Sequence, residues 1–210
     1  MGTGLSVPIL TPISAKKKNF KKMSHFKQQA HKLLKTALDN KNANFRDGQW
    51  EAIESLVRKR KRLLVVQRTG WGKSIVYFLS TRLLRDAGEG PTVVISPLLA
   101  LIRNQVEAAE RLGLNATTIN SDNTADWPEI EAAFLNNQID VLLISPERLA
   151  NEKFRRGAFQ VKSWPGIKGP VLLVDDMVDS RWTMTVVTAL LRQAGSGPVY
   201  PLALANTAKG

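Results

Sequence analysis

The 210-residue chain contains no cysteine and only two histidines, His25 and His31. The lack of thiols excludes a disulfide framework, thiolate catalysis and cysteine-ligated zinc. The two histidines lie six positions apart, off a common helical face, so surface or capping roles are expected for both. No stretch approaches the ~18 to 20 consecutive apolar residues that span a bilayer, and the opening MGTGLSVPILTPISAKKK lacks the basic-then-apolar order of a secretory signal. These absences point to a cytoplasmic location without membrane association. Acidic residues are scarce at one end: the first 62 positions carry 15 Lys and Arg against four Asp and Glu, whereas the remaining 148 carry 15 against 14. Most of the formal net charge of +12 therefore sits in a basic arm and entry helix. Such a segment attracts a polyanion, nucleic acid first and an anionic membrane surface second; a solvated tail is the alternative.

With 43% hydrophobic and 23% charged residues, the chain has the apolar material for one compact domain, and its length is too short for two of full size. Residues 1–23 read as a flexible basic leader, because Gly, Ser and Pro punctuate it and no helical period appears. From Ser24, the positions Phe26, Ala30, Leu33, Leu34 and Leu38 recur at helical spacing, and a second helix is expected over Gln49–Arg58. The basic run Arg58–Arg62 leads into LLVV, Leu63–Val66, expected as a buried strand. Helices near Ser74–Ala87, Leu98–Leu112, Trp127–Asn136 and Met184–Ala194 then alternate with the strands TVVIS, ATTIN, DVLLIS, VLLVDD and VYPLALA. Apolar strands separated by amphipathic helices predict a doubly wound α/β domain, a parallel sheet with helices on both faces.

The strongest chemical signal is QRTGWGKS, Gln67–Ser74, between the strand LLVV and the helix beginning SIVYFL. A loop that leaves a parallel strand and enters a helix aims backbone N–H groups at one spot, where the helix terminus adds about half a positive charge. Polyphosphate fits that spot. Thr69, Gly70, Trp71 and Gly72 form the curl, Lys73 is placed to reach the β- and γ-phosphates, and Ser74 to ligate Mg²⁺. Gln67 stands where the pattern GxxxxGK[ST] has its first Gly, and Trp71 is bulky for such a loop. A structural turn is the competing reading, and Trp71 is open to base stacking, capping or local packing.

Taken with FRDGQ at Phe45–Gln49, SPLLALIRNQV at Ser96–Val106 and SPERL at Ser145–Leu149, this loop resembles the first RecA-like domain of RecQ-family superfamily 2 DNA helicases over roughly residues 24–156. The resemblance implies an ATP-dependent DNA helicase, an ATP hydrolase with Mg²⁺ and DNA as its partners, and a place in DNA repair and recombination. It assigns Gln49 to the adenine edge, with Phe45 and Arg46 holding that segment. It gives Ser96, Arg103, Glu147 and Arg148 to the DNA backbone. It departs from the family at Arg68 and Trp71, where Pro and Gly are usual.

No DEAH or DExH stretch occurs, although a motor of this class needs an Asp to organise Mg²⁺ and a Glu to orient the attacking water. Only 36 residues follow Val174, too few for a second RecA-like domain, so the chain is expected to be a fragment or a shortened relative. A second motor domain in trans is a candidate partner. Residues 157–210 resemble the phosphoribosyltransferase signature, with Asp175 and Asp176 for ribose and a loop at Asp179–Thr183 for a 5-phosphate. There DSRWT replaces the usual TGxT. Alternatively, VLLVDD fills the vacant place in the same sheet: Asp175 then meets the Mg²⁺ held by Ser74, and Asp176 stands in for the Glu. The functional expectations are a weak or incomplete helicase ATPase, a non-catalytic nucleotide- and nucleic-acid-binding module, or a phosphoribosyl diphosphate-binding protein.

Overall fold

A computed structural model describes residues 13–96, 99–120, 123–145, 169–175, 182–193 and 195–205. The elements run α1 (Ile13–Ala37), α2 (Gln49–Val57), β1 (Leu63–Val66), α3 (Lys73–Asp86), β2 (Thr92–Ile95), α4 (Leu99–Glu110), β3 (Ala116–Ile119), α5 (Trp127–Leu135), β4 (Val141–Ile144), β5 (Val171–Asp175), α6 (Trp182–Gln193) and β6 (Val199–Ala205). All six strands are parallel in the order β1-β6-β5-β2-β4-β3. The expected doubly wound sheet is therefore present, and β5 and β6 lie inside it, between β1 and β2.

Alternation along the strands divides the core in two. Val94, Val141, Leu143, Leu172 and Val174 pack with α1, α2 and α3. Val93, Ile95, Leu142, Ile144, Val171 and Leu173 pack with Phe134 of α5 and with Val187 and Leu191 of α6. Helices cover both faces, which is what strands without polar alternation require. Leu143 is fully buried in β4. Its replacement by Ala is expected to cost about 2–5 kcal/mol, the range for a cavity left in a close-packed core. Chemical denaturation reads this, and a loss under about 1 kcal/mol would mean that the site collapses freely.

Two sequence expectations are corrected. The helix read from Ser24 begins at Ile13, inside the stretch read as a leader. Ile13–Ala37 contains neither Gly nor Pro, and its lysines are good helix formers, so chain-breaking ends at Pro12. Strand β1, expected to be buried, is an edge strand: Val65 faces the core, but Leu64 is 60% and Val66 49% exposed. On that face α6 reaches only partway, leaving an apolar trough of about 680 Å³ floored by Pro201 and Ala203 of β6. No described helix is long and apolar enough to cross a membrane.

Candidate nucleotide and nucleic-acid site

Because every strand is parallel, the segments that leave β1, β2, β4 and β5 emerge along one edge of the sheet. This is the edge at which open α/β sheets bind ligands. The loop after β1 curls through Gly70 at φ 79° and Gly72 at φ 94°, left-handed conformations that side chains rarely adopt. Gly72 caps α3, whose first residue is Lys73. The N–H groups of a first helical turn lack acceptors from a preceding turn; here that of Ile75 bonds the Gly72 carbonyl at 3.2 Å. A Cβ on Gly70 would meet nothing within 4 Å, so this side of the loop is open, whereas one on Gly72 would lie 2.7 Å from Gln49 Nε2.

FRDGQ lies against this loop. Gln49, 3% exposed, donates from Nε2 to the carbonyls of Trp71 at 2.9 Å and Gly72 at 3.4 Å, and its Oε1 accepts from the Arg46 backbone N–H at 2.9 Å. The Arg46 guanidinium donates to the Gly70 carbonyl. Trp71, 7% exposed, donates its indole N–H to the Asp47 carbonyl at 3.2 Å and packs over Gly48, itself at φ 82°. Phe45 sits between the rings of His31 (5.8 Å between centroids) and Trp50 (6.0 Å). The structure thus brings together Phe45, Arg46, Gln49, Gly70, Trp71 and Gly72. Thr69 is exposed, and Lys73 and Ser74 are half-buried in the first turn of α3. Trp71 is packed locally, and adenine recognition by Gln49 requires that one of its loop contacts be exchanged.

Ser96 is fully buried after β2, with its N–H on the Ile144 carbonyl at 3.1 Å. Ser145 is also fully buried, and its Oγ has no partner among the described residues; sequence reading did not single it out beyond its place in SPERL. Arg103 lies in α4. Asp175 ends β5 at 3% exposure, paired in register with Ile95 on one side and Ala203 on the other. Ala203 also pairs with Leu64, so the carboxylate is two strands from β1, about 10 Å at the usual spacing, on the edge where the phosphate loop begins. Asp176, Glu147, Arg148 and the loop 179–181 lie outside the described residues. Among the described residues no group of three His, Cys, Asp or Glu side chains is placed to hold a metal ion. Of the residues expected to hold Mg²⁺, the described ones are Ser74, a hydroxyl, and Asp175, a carboxylate. Both are hard oxygen ligands, and such a set suits Mg²⁺, which keeps several waters and takes one or two carboxylates with substrate phosphates.

A parallel sheet carrying a glycine-curled phosphate loop, with a glutamine segment bound behind it, defines a P-loop domain of the RecA-like kind. Residues 46–168 match the DEAD/DEAH box helicase family, and the chain belongs to that family. It is 34% identical over 133 residues to the ATP-dependent DNA helicase RecQ of Bacillus subtilis, an alignment covering 63% of this chain and 21% of that protein. It is 28% identical over 190 residues to a putative ATP-dependent DNA helicase Q1 of Caenorhabditis briggsae, covering 85% of this chain and 29% of the relative. The fold is similar to that of the DUF1998 helicase MrfA, with a TM-score of 0.60 and 16% identity, covering 86% of this chain and 29% of that one. The chain spans about a fifth of the length of the RecQ relative it matches. The tetrad for which the family is named is absent from the sequence, and the family match stops before β5.

Proposed function

We propose that this domain is the ATP- and Mg²⁺-binding, DNA-contacting part of a RecQ-type DNA helicase, with slow hydrolysis by itself. The observation that carries the reading is the phosphate loop at the amino end of α3, tied by Gln49 and Arg46 to the FRDGQ segment. In this reading Gly70, Gly72 and the first N–H groups of α3 bind the triphosphate, and Lys73 supplies charge to its β- and γ-phosphates. Thr69 lines the loop, and Trp71 holds its shape from behind. Ser74 and Asp175 would hold Mg²⁺, which would supply positive charge against the charge that develops on the phosphates. Asp176 orients water less well than the Glu usual at that position. Arg103, Glu147 and Arg148, in the segments that follow β2 and β4, contact the DNA backbone, whereas Ser96 is fully buried and does not reach it, and a second motor domain in trans completes the cycle.

The missing Glu favours a second reading, a nucleotide- and nucleic-acid-binding module without turnover. The two are separated by Lys73→Ala. In either reading, ATP binding weakens about 10- to 100-fold, since a charge-assisted hydrogen bond is worth about 1.5–3 kcal/mol. Only in the first does the substitution also abolish a measurable ATPase. If calorimetry finds ATP bound equally well by the parent and by Lys73→Ala, the phosphate-loop assignment fails, and both readings with it. A phosphoribosyl diphosphate site built on DSRWT remains a sequence resemblance. Mg²⁺-dependent binding of that compound, lost in Asp175→Asn, is the result that would support it.

A further inference from the structure

The basic run RKRKR, Arg58–Arg62, lies at the start of β1 and thus at the edge of the sheet opposite the phosphate loop, with the whole strand, about 10 Å, between them. It is an ordered turn. The N–H groups of Arg58 and Lys59 bond the Glu54 carbonyl at 3.0 and 3.1 Å, and that of Lys61 bonds the Ser55 carbonyl at 3.0 Å. Arg60 adopts φ 52°, a left-handed conformation that side chains visit rarely. Its guanidinium pairs with Glu89 and lies 5.4 Å over the Tyr200 ring of β6. Arg60 is thus turned inward as an anchor, while Arg58, Lys59, Lys61 and Arg62 are exposed.

Charge in this region is not balanced. Glu54 pairs with both Arg58 (3.4 Å) and Lys59 (2.6 Å), and Glu89 pairs with Arg60. Arg58 also lies 5.7 Å over the Phe26 ring of α1, and Lys27 lies 5.4 Å over the Trp50 ring, which places the α1 lysine on the same side. Of these six cations, only Arg58, Lys59 and Arg60 pair with the two carboxylates among the described residues. Lys61 and Arg62 have no ion-pair partner among the described residues. A mobile basic tail loses entropy when it is ordered on a ligand; a turn already fixed by Arg60 avoids much of that cost.

We infer that this turn is a second nucleic-acid surface, binding the phosphate backbone of duplex DNA without reading sequence, on the edge remote from the nucleotide. The inference rests on the DNA-helicase reading above and adds a surface which that reading does not contain. Arg60 is its positioning residue, and β6 takes part through Tyr200. Because the two edges are separate, duplex held here leaves the phosphate loop free for ATP.

The test is anisotropy of a labelled random-sequence duplex over a salt series, with the full chain and no nucleotide. Each phosphate contact adds about 0.9 to the slope of log affinity against log salt, so Lys61→Gln/Arg62→Gln should make the slope shallower by about 1.8. Lys32→Gln/Lys41→Gln removes two exposed charges elsewhere and should change it by less than half as much. ATP binding, measured on the same samples, should be unaffected in both variants. Equal changes in the two variants, or an unchanged slope in the first, would overturn the inference while leaving the helicase reading intact. A parent chain that binds ATP but no duplex at any salt would instead remove the DNA half of that reading. Flotation with phosphatidylserine vesicles is the remaining arm: capture that duplex fails to compete away would make the turn a membrane contact and refute a nucleic-acid role.

Discussion

Asp176→Glu is expected to raise the ATPase rate of this chain by on the order of 100-fold, the factor that a misplacement of about 1 Å can remove from a catalytic step. The residue follows Asp175, whose carboxylate ends β5 on the edge where the phosphate loop leaves β1. Helicase chemistry asks for two acidic groups in succession here, one on the metal and one to align water on the γ-phosphate. In the proposed reading Asp175 meets the first requirement, and Asp176, one methylene shorter than Glu, falls short of the second. Lengthening the side chain restores its reach without changing charge, so ATP and Mg²⁺ affinity should remain within about twofold, a difference of only about 0.4 kcal/mol. Phosphate release measured with saturating ATP, against Lys73→Ala as the blank, decides the matter. A rate unchanged from the parent while ATP is demonstrably bound would deny residue 176 this role and favour the module without turnover.

Gly72→Ala should be the most damaging single-methyl change in the loop. At φ 94° any side chain is strained by about 1–3 kcal/mol, and the added Cβ would stand 2.7 Å from Gln49 Nε2. The amide has to withdraw, which breaks its bonds to the Trp71 and Gly72 carbonyls and leaves a buried polar group short of partners, a further cost of about 1–3 kcal/mol. Gly70→Ala supplies the control. Its φ of 79° carries the same kind of strain, yet its Cβ would meet nothing within 4 Å. Thermal unfolding should therefore fall by about 4–24 °C for Gly72→Ala and clearly less for Gly70→Ala, at about 2–4 °C per kcal/mol for a chain of this size. ATP affinity should follow, with at least a tenfold loss, about 1.4 kcal/mol, at Gly72. Equal damage at the two positions would show that the Gln49 contact contributes nothing to the loop.

Much of the architecture was legible in the residues, because hydrophobic period and turn chemistry are local properties. VYPLALA is β6 as read, and the helices after β1, β2, β3 and β5 begin within two residues of their expected starts. The phosphate loop was legible for the same reason: glycines at positions 70 and 72 followed by Lys73 and Ser74 between a strand and a helix describe one continuous local structure. The resemblance to RecQ-type helicases extended this reading to FRDGQ, which the fold brings against the loop from 22 residues away. Local signals failed where the outcome depended on neighbours. LLVV read as buried because its residues are all apolar, but burial belongs to the sheet position, and β1 took an edge. Trp71 could be read as stacking, capping or packing. Only its position over Gly48 and its bond to the Asp47 carbonyl separated these.

The tail shows the division most clearly. Its sequence established two apolar strands around an amphipathic helix and two acidic residues at a strand end, since composition and period are fixed by covalent order. It left two placements open, because strand pairing in a parallel sheet is set by which faces need covering and by crossover geometry, not by the strand's own residues. Tertiary structure chose the interior of the sheet, with β5 beside β2 and β6 beside β1. That choice put Asp175 on the edge shared with the phosphate loop and Tyr200 under Arg60.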